Sequence, residues 1–419
     1  MRSKFKFGAV AAGLALAGLL VAMYLLRAPR ISVGKALPPG RAAPQLVNVM
    51  DTALLLTPDG SLWQWGEMRL RMNPNTFERP SVSQIPRRVG FDSDWSQVAA
   101  GFQHIVALKS DGSLWAWGAN RNGEAGQLNI TNFHDTPTRI GTESNWIRIA
   151  ASDSHNVALK QDGSLWAWGW NAFGQLGDGT TNSRYFPTRI GNDNDWRAIA
   201  AGGEGSFALK TNGTVWGWGA RVDLVPRQIA PGNDWQAISA DAGNLLVALK
   251  TNGTLYLAGR RFRLLASHID AGTSGALSQL GVDTDWNEIY AGRDSLFARK
   301  KDGRWWVCGM DYEGQLGLGT LGTWVPSPRR LPFGFDPWAF APGGQTTLLF
   351  TRDGKVWTWG QRLGGEPNRT LLKMGRFMDP LLRRIPRMGY VFRSDIDRRP
   401  FLLWEFTSNP SDPPSNRNK

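Results

Sequence analysis

A pattern of short apolar runs separated by polar turns recurs along most of the chain. An Asp-Gly or Asn-Gly pair recurs in register in seven units at steps of 40 to 52 residues, and another glycine follows each of these turn glycines six positions later. The pairs stand at 59–60, 111–112, 162–163, 212–213, 252–253, 302–303 and 353–354. Apolar runs flank each pair, as in 104–109 before Asp111 and 113–117 after it. Because a turn glycine between two such runs is a strong hairpin signal, each unit is predicted to contain a β-hairpin whose two-residue turn needs positive φ.

Two further strands complete each unit. One opens with Trp after Asp or Asn in five units, as at Trp95, and the other carries Pro-x-x-Ile or Pro-x-x-Val in four units, as at 86–89. In the strand after the turn, Trp115 and Trp117 share one face and Leu114 lies on the other, so both faces are apolar, as in a strand between packed sheets. Four short strands in about 50 residues, repeated seven times, predict an all-β fold, a seven-bladed β-propeller.

The units share a consensus that resembles a known repeat. It reads Trp-x-x-Ile-Ala-Ala-Gly, then His-x-x-Ala-Leu-Lys-x-Asp-Gly-Ser-Leu-Trp-Ala-Trp-Gly, then Gly-Gln-Leu-Gly, with His104 and His155 at the histidine and 174–177 and 314–317 at the last motif. This resembles the regulator of chromosome condensation repeat, and the resemblance covers residues 45–360. That family includes the nucleotide-exchange factor for the small GTPase Ran and secreted bacterial propellers that inhibit β-lactamases. The resemblance therefore implies a propeller that binds proteins.

Two departures from the repeat concern one loop and the closure of the ring. Only 16 positions separate Gly219 from Trp235, against 27–29 between the same landmarks elsewhere, so this blade is expected to lack its long loop. The first unit starts near Leu46 without a Pro-x-x-Ile strand before it, and residues 379–385 are predicted to supply that strand. The propeller is thus assigned to 45–390. Residues 391–419 are predicted to form an extra hairpin on the rim and a disordered tail.

The amino-terminal region predicts a membrane anchor. Basic residues occupy 1–6, and residues 7–26 follow without a charge, which in a helix would rise roughly 30 Å, the thickness of the bilayer core. We expect a cytoplasmic stub, an uncleaved transmembrane helix over 7–26 and a linker over 27–44, as in a membrane-anchored, bacterial-type member of the family. The propeller would lie on the periplasmic or extracellular side of the inner or plasma membrane. The alternative is secretion after cleavage of a signal peptide.

The charge of the chain is concentrated at its two ends. The formal net charge is +13, of which residues 1–40 and 361–419 contribute +6 each and residues 41–360 only +1. A basic surface that condenses onto phosphates is therefore not a property of the propeller, and nucleic acid is an unlikely partner.

Catalytic and metal-binding patterns are absent from the sequence. The four histidines include His104 and His155, which recur at one repeat position and indicate a structural role, and the single Cys308 excludes an intramolecular disulfide. Three acidic pairs could suggest calcium, but each precedes the repeat's Trp without the rest of a calcium loop, which favours turn stabilisation. The pairs are Asp92/Asp94, Asp193/Asp195 and Asp283/Asp285. The sequence predicts no enzyme, cofactor or metal.

Aromatic residues outside the repeat pattern mark a candidate surface for a protein partner. Five residues flank the Gly-Gln-Leu-Gly loop at 174–177, and one lies in the sixth blade; Trp, Tyr and Arg are favoured anchors at interfaces. They are Trp170, Phe173, Arg184, Tyr185, Phe186 and Trp324. The predicted function is a non-catalytic protein–protein interaction module displayed outside the membrane. The alternatives are a hydrolase or lyase that acts on cell-envelope polymer at the central opening, and a nucleotide-exchange or nucleic-acid-binding propeller.

Overall fold

Seven four-stranded antiparallel sheets make up the part of the chain that the computed structural model describes. The described residues are 41–49, 52–66, 83–127, 133–220, 222–243, 245–259, 277–361 and 396–405, and for 83–85 and 396–405 only the backbone is described.

The first three sheets contain β1 (Gln45–Val49), β2 (Thr52–Leu56), β3 (Leu62–Gly66) and β4 (Ser83–Arg88); β5 (Trp95–Ala100), β6 (His104–Lys109), β7 (Leu114–Ala119) and β8 (Phe133–Arg139); and β9 (Trp146–Ser152), β10 (His155–Lys160), β11 (Leu165–Gly169) and β12 (Arg184–Arg189). The fourth and fifth contain β13 (Trp196–Ala201), β14 (Gly205–Lys210), β15 (Val215–Gly219) and β16 (Asp223–Gln228); and β17 (Trp235–Ala240), β18 (Leu246–Lys250), β19 (Leu255–Ala258) and β20 (Ser278–Gln279). The sixth and seventh contain β21 (Trp286–Gly292), β22 (Ser295–Lys300), β23 (Trp305–Asp311) and β24 (Thr323–Arg330); and β25 (Pro337–Pro342), β26 (Thr346–Thr351), β27 (Lys355–Gln361) and β28 (Ile396–Glu405).

The sheets pack face to face in a closed ring, which confirms the predicted seven-bladed propeller. The first strand of each sheet contacts the first strands of both neighbouring sheets, so these seven inner strands surround the axis. Apolar clusters fill the space between consecutive sheets, because the strands are apolar on both faces. The first and seventh sheets meet in the same way: Asn48 Nδ2 donates a hydrogen bond to the Thr346 carbonyl oxygen at 2.6 Å, and Leu46 packs with Phe350.

The closure of the ring differs from the prediction. Each unit begins with its inner strand, so the first sheet is complete without a preceding strand, and the sheet that needs an outer strand from the carboxy-terminal region is the seventh. Its outer strand is β28, which pairs with β27. The predicted closing segment 379–385 lies outside the described residues. The predicted rim hairpin is corrected as well, because residues 396–405 form a strand within a blade.

The hairpin turns also differ from the prediction in their conformation. Gly163 has a φ of +78° and its N–H donates to the Lys160 carbonyl oxygen at 2.9 Å, whereas Asp162 does not have positive φ. The Asp162 Oδ1 atom accepts hydrogen bonds from the N–H and the hydroxyl of Ser164. The connection is a tight turn followed by one glycine with positive φ. The backbone conformation therefore requires only the glycine, and the preceding Asp or Asn serves as a side-chain hydrogen-bond acceptor.

The connections between strands divide over two faces of the ring. Turns from inner to second strands and long loops from third to outer strands lie on one face, here called the loop face; Asp-Gly turns and connections between sheets lie on the other, the hairpin face. In the fourth sheet β15 ends at Gly219 and β16 begins at Asp223, which confirms the predicted loss of the long loop. Residues 1–6, the predicted anchor over 7–26 and most of the predicted linker over 27–44 lie outside the described residues. In the part that is described, no helix is long and apolar enough to cross a membrane.

Candidate protein-binding surface

Long loops on the loop face are closed by the same internal hydrogen bonds. In the third-sheet loop (170–183), Asn171 Oδ1 accepts from the Leu176 N–H at 2.9 Å, and Gln175 Oε1 accepts from the Phe173 N–H at 2.9 Å. The second-sheet and sixth-sheet loops repeat both bonds with Asn120 and Glu124, and with Asp311 and Gln315. The polar residues of the Gly-Gln-Leu-Gly motif are therefore used to shape the loop.

Each of these loops is also held by two hydrogen bonds that the next sheet donates to one loop carbonyl oxygen, an arrangement here called the clasp. The Gln175 carbonyl oxygen accepts a hydrogen bond from Trp218 Nε1 at 2.9 Å and another from Ser206 Oγ at 2.8 Å. The closing Gly177 must be a glycine, because a Cβ there would lie 2.6 Å from Trp218 Cδ1. The same clasp holds Glu124 through Trp168 and Asn156, and Gln315 through Trp359 and Thr347. Residues carried by these loops are therefore presented on a rigid frame.

Four of the predicted site residues lie on the third sheet, as two pairs. Trp170 packs edge-on against Phe173 with ring centroids 5.3 Å apart, and the Phe173 side chain is 41% exposed. Tyr185 and Phe186 follow each other on β12 and are exposed to 43% and 46%. The Tyr185 hydroxyl donates to the Arg121 carbonyl oxygen of the second-sheet loop at 3.2 Å, which fixes the ring at the boundary of two sheets.

The other two predicted residues have different surroundings. The guanidinium of Arg184 forms an ion pair with the Asp178 carboxylate of the third-sheet loop at 2.6 Å, so it holds this loop closed. Burial would raise the pKa of Asp178, but its bonds to Thr180 and Arg184 outweigh burial and lower it. Trp324 lies on β24 of the sixth sheet opposite Met310 and packs, half-buried, against the core, so it does not join the other four.

Two further residues of this surface were missed in the sequence. Leu224 and Val225, on β16, are 39% and 46% exposed and occupy the register positions that Tyr185 and Phe186 hold on β12. The third-sheet loop reaches them: the Gly179 N–H donates to the Leu224 carbonyl oxygen at 2.9 Å. The sequence signal that could have found Leu224 and Val225 was the combination of a missing fourth-sheet loop and two consecutive apolar residues on the outer strand of that sheet. Phe173, Tyr185, Phe186, Leu224 and Val225 are together called the rim patch.

The predicted acidic pairs bind lysines rather than a metal. Lys210 Nζ lies 4.8 Å from the ring centroids of both Trp196 and Trp216, and it contacts Asp193 at 2.7 Å and Asp195 at 3.0 Å. Burial would lower the pKa of Lys210, but its hydrogen bonds to the two carboxylates outweigh burial and raise it. The same arrangement binds Lys109 with Asp92 and Asp94, and Lys300 with Asp283 and Asp285.

The side chains of His104, His155 and Cys308 are buried between the sheets and pack or form hydrogen bonds there. His104 Nε2 lies 2.7 Å from Asn156 Oδ1, and His155 Nε2 lies 2.8 Å from Ser206 Oγ, so each buried ring bridges to the following sheet. Cys308 is fully buried at the Trp position of its blade, and burial raises the pKa of its thiol to about 12. Within the described residues, no three His, Cys, Asp or Glu side chains converge as a metal site requires.

Carboxylates do meet where the inner strands end on the loop face. Burial raises the pKa of Asp153, with a smaller lowering from Arg293 and a smaller raising from Glu204. Burial also raises the pKa of Asp241 to about 7, although its carboxylate accepts hydrogen bonds from three backbone N–H groups of two sheets. These backbone bonds give Asp241 a structural role in joining two turns.

Comparison with known proteins identifies the repeat. A family model described as the regulator of chromosome condensation (RCC1) repeat matches residues 111–159 and 162–209, and a second model of the same description matches residues 95–124 and 146–175. These stretches carry regulator of chromosome condensation repeats. The matched RCC1 repeats lie in the second, third and fourth sheets, the same sheets that form the rim patch and its supporting loops.

Related proteins share short parts of the chain. The X-linked retinitis pigmentosa GTPase regulator homolog of Caenorhabditis elegans is 38% identical over 92 residues, 20% of this chain and 6% of that protein. The ultraviolet-B receptor UVR8 of Arabidopsis thaliana is 33% identical over 128 residues, 30% of this chain and 28% of that protein. The chain thus spans less than a third of the length of either relative, so the similarity concerns the RCC1 repeats and not the whole proteins.

Solved structures show the same fold over most of the chain. Human WBSCR16 aligns with a TM-score of 0.62 at 16% identity, covering 82% of this chain and 93% of that one. Prp20p from Saccharomyces cerevisiae, whose structure was described together with its binding to Gsp1p and histones, aligns with a TM-score of 0.63 at 18% identity, covering 83% and 87%. At such identities the likeness establishes the RCC1-type propeller fold alone.

Proposed function

We propose that this chain is a non-catalytic protein-interaction module and that the rim patch binds its protein partner. The observation that carries the proposal is five large apolar side chains, exposed at 39–46%, on the third-sheet loop and on β12 and β16 of two neighbouring sheets. Contiguous exposed apolar surface is the usual mark of an interaction site in a soluble domain. Because the loops are held by hydrogen bonds at both ends, little conformational entropy would be lost when a partner docks.

The rim patch differs from the two most exposed large apolar residues of the described chain. Phe91 and Val282 are 95% and 87% exposed, but each stands by itself in a connection between sheets on the hairpin face. Isolated apolar side chains at a surface need no partner, whereas adjacent aromatic rings around a rigid loop form an anchor. The loop face of the second to fourth sheets is therefore the better docking surface.

Two properties of the propeller support binding over the alternatives. The described histidines His104 and His155 and the buried Cys308 are engaged in or enclosed by structural packing, which leaves them without access to a substrate. The span 41–360 has a formal charge of only +1, which does not favour a polyanion. A protein partner at an apolar surface agrees with both properties.

Replacing rim-patch residues by charge is expected to abolish partner capture. Phe186→Asp and Val225→Asp each place a carboxylate in the proposed contact, which should cost about 2 kcal/mol or more, or roughly a 30-fold loss of affinity. The measurement is crosslinking in intact cells with the full chain, followed by quantification of the captured proteins. Phe91→Asp and Val282→Asp on the hairpin face are matched controls and should capture as the wild type does. Equal capture by all four variants would refute the rim patch as the partner site.

We also propose that the propeller is displayed outside a membrane, anchored by residues 7–26. The proposal rests on twenty uncharged residues that follow a basic amino-terminal flank. A reporter that is active only outside the cytoplasm, fused to the carboxy terminus, should be active, and the protein should stay with the membrane fraction. Activity of a cytoplasmic reporter at that position would reverse the assignment, and an active but membrane-free protein would favour the cleaved signal peptide.

A further inference from the structure

The hydrogen bonds around His155 define which nitrogen carries its proton. Ser206 Oγ donates its only hydrogen to the Gln175 carbonyl oxygen at 2.8 Å. The Ser206 hydroxyl can therefore only accept a hydrogen bond from the histidine. His155 Nε2, at 2.8 Å from Ser206 Oγ, must therefore be the N–H donor. His155 Nδ1 is then unprotonated, and it is buried without a hydrogen-bond partner. A second proton on this ring would place an N–H in the core with no acceptor.

The same bonds continue from the histidine to the surface. Gln175, which receives the Ser206 hydroxyl at its carbonyl, uses its side-chain Oε1 to accept the Phe173 N–H at 2.9 Å. A continuous chain thus runs from the buried His155 through Ser206 and Gln175 to Phe173 of the rim patch. Two groups from the next sheet, Ser206 and Trp218, hold the Gln175 carbonyl oxygen, so the buried ring lies one hydrogen bond from the clasp.

We propose that His155 is an acid-sensitive positioning residue that regulates the rim patch. Neutral His155 fits the clasped arrangement, whereas a protonated ring would bury an Nδ1–H without an acceptor, so acid favours an opened third-sheet loop in which the ring is hydrated and Phe173 leaves its docking position. The regulation rests on the proposed function, because it assumes that the rim patch is the partner surface. The loop movement itself is a property of this chain and can be measured without a partner.

The direction of the pH effect follows from the surroundings of the ring. Burial, and to a smaller extent the nearby His104, lowers the pKa of His155 to about 3, whereas an opened loop returns the ring toward its ordinary value of about 6.5. A lowered pKa means that the clasp is intact above pH 6.5 and that opening becomes easier by about tenfold for each pH unit below it. His104 itself faces Glu124, and its pKa is lowered by burial. In the loop, Asp178 has a lowered pKa, so it stays ionised over this range.

The sixth sheet supplies a matched loop without the histidine. Its Gly-Gln-Leu-Gly loop is clasped in the same way, with the Gln315 carbonyl oxygen bound by Trp359 Nε1 at 3.0 Å and Thr347 Oγ1 at 2.8 Å. Ser295 occupies the position of His155 there and does not titrate. Burial raises the pKa of Asp311 in this sheet to about 6, so acid favours its folded, protonated form and does not loosen the loop.

Amide hydrogen exchange of the full chain tests the proposal within one molecule. Between pH 6.5 and 4.5, protection of the Phe173 and Leu176 amides, corrected for the intrinsic exchange rate, should fall about 100-fold. Protection of the equivalent Glu313 and Leu316 amides in the sixth-sheet loop should not fall. Equal changes in the two loops would overturn the proposal, because a general acid effect reaches both.

Substitution of the histidine separates positioning from mere packing. His155→Gln keeps a side-chain N–H donor but does not titrate, so the loss of protection should shrink to less than about threefold over the same pH range. His134→Gln, in the outer strand β8 and outside this chain of bonds, is the control and should behave as the wild type. A His155→Gln protein that keeps the 100-fold change would refute the role of the ring. If the rim-patch variants capture partners as the wild type does but the pH-dependent exchange of the third-sheet loop is as expected, the proposed function is refuted and the response of the loop to acid is not.

Discussion

Trp218→Ala is expected to lower the free energy of unfolding by about 3–5 kcal/mol, the cost of truncating a fully buried aromatic ring. The indole is 0% exposed, fills the contact between the third and fourth sheets, and donates its N–H to the Gln175 carbonyl oxygen at 2.9 Å. Its removal leaves a cavity and takes one of two donors from a buried carbonyl. Both effects act at the contact between blades, which has no strand shared between the sheets to compensate.

Chemical denaturation followed by circular dichroism measures this effect as a shift of the midpoint. Trp170→Ala is the matched control, because Trp170 is half-buried and packs on Phe173 in the loop rather than between sheets. Its midpoint should move much less. If both variants lower the free energy of unfolding by the same amount, the Trp218 indole does not stabilise the protein by holding the loop of the preceding sheet.

Gly163→Ala is expected to destabilise the protein by about 2–5 kcal/mol, more than an ordinary glycine substitution at positive φ. Gly163 has a φ of +78°, and a Cβ on it would overlap the carbonyl oxygen of Asn194 in the next connection between sheets. Backbone surrounds this position, and Gly163 also accepts the Trp196 N–H through its own carbonyl. Neither neighbour can move without disturbing the start of an inner strand.

Gly141→Ala separates the two sources of this cost. Gly141 has a φ of +65°, but no atom lies within 4 Å of a Cβ built on it, so it reports the backbone strain alone, about 1–2 kcal/mol. Thermal unfolding of both variants gives the comparison. Equal losses of stability would mean that the left-handed conformation, and not the close approach of Asn194, requires the glycine.

Sequence and structure together explain the missing Trp in one of the two blades that lack it, the fifth. The Trp position binds the loop of the preceding sheet, as Trp168, Trp218 and Trp359 do. Where the preceding fourth sheet has no long loop, the fifth sheet carries Ala258 in this position. The exception in the repeat is thus the expected consequence of a deletion one blade earlier, because an indole without a loop to hold would leave its N–H buried and unpaired.

Much of the candidate site followed from local pattern, and its failures follow from contacts between blades. Phe173, Tyr185 and Phe186 were recognisable because they are large apolar residues outside the repeat consensus. Arg184 was assigned to a partner but is held by Asp178, since a loop carboxylate six residues away competes for the guanidinium. Leu224 was missed because its exposure depends on the absence of a neighbouring loop.

The sequence by itself determined the number of blades, the order of strands within each blade, the position of the hairpin turns and the lost loop. These features follow from alternation of apolar residues and from glycine in tight turns, which are local interactions that recur with the repeat. Only the tertiary structure decided that β28 completes the seventh sheet and that the histidines bridge to the next blade. It also decided that the rim patch spans the third and fourth sheets. Such contacts join residues 35 to 52 positions apart, and their geometry depends on how the blades pack around the axis.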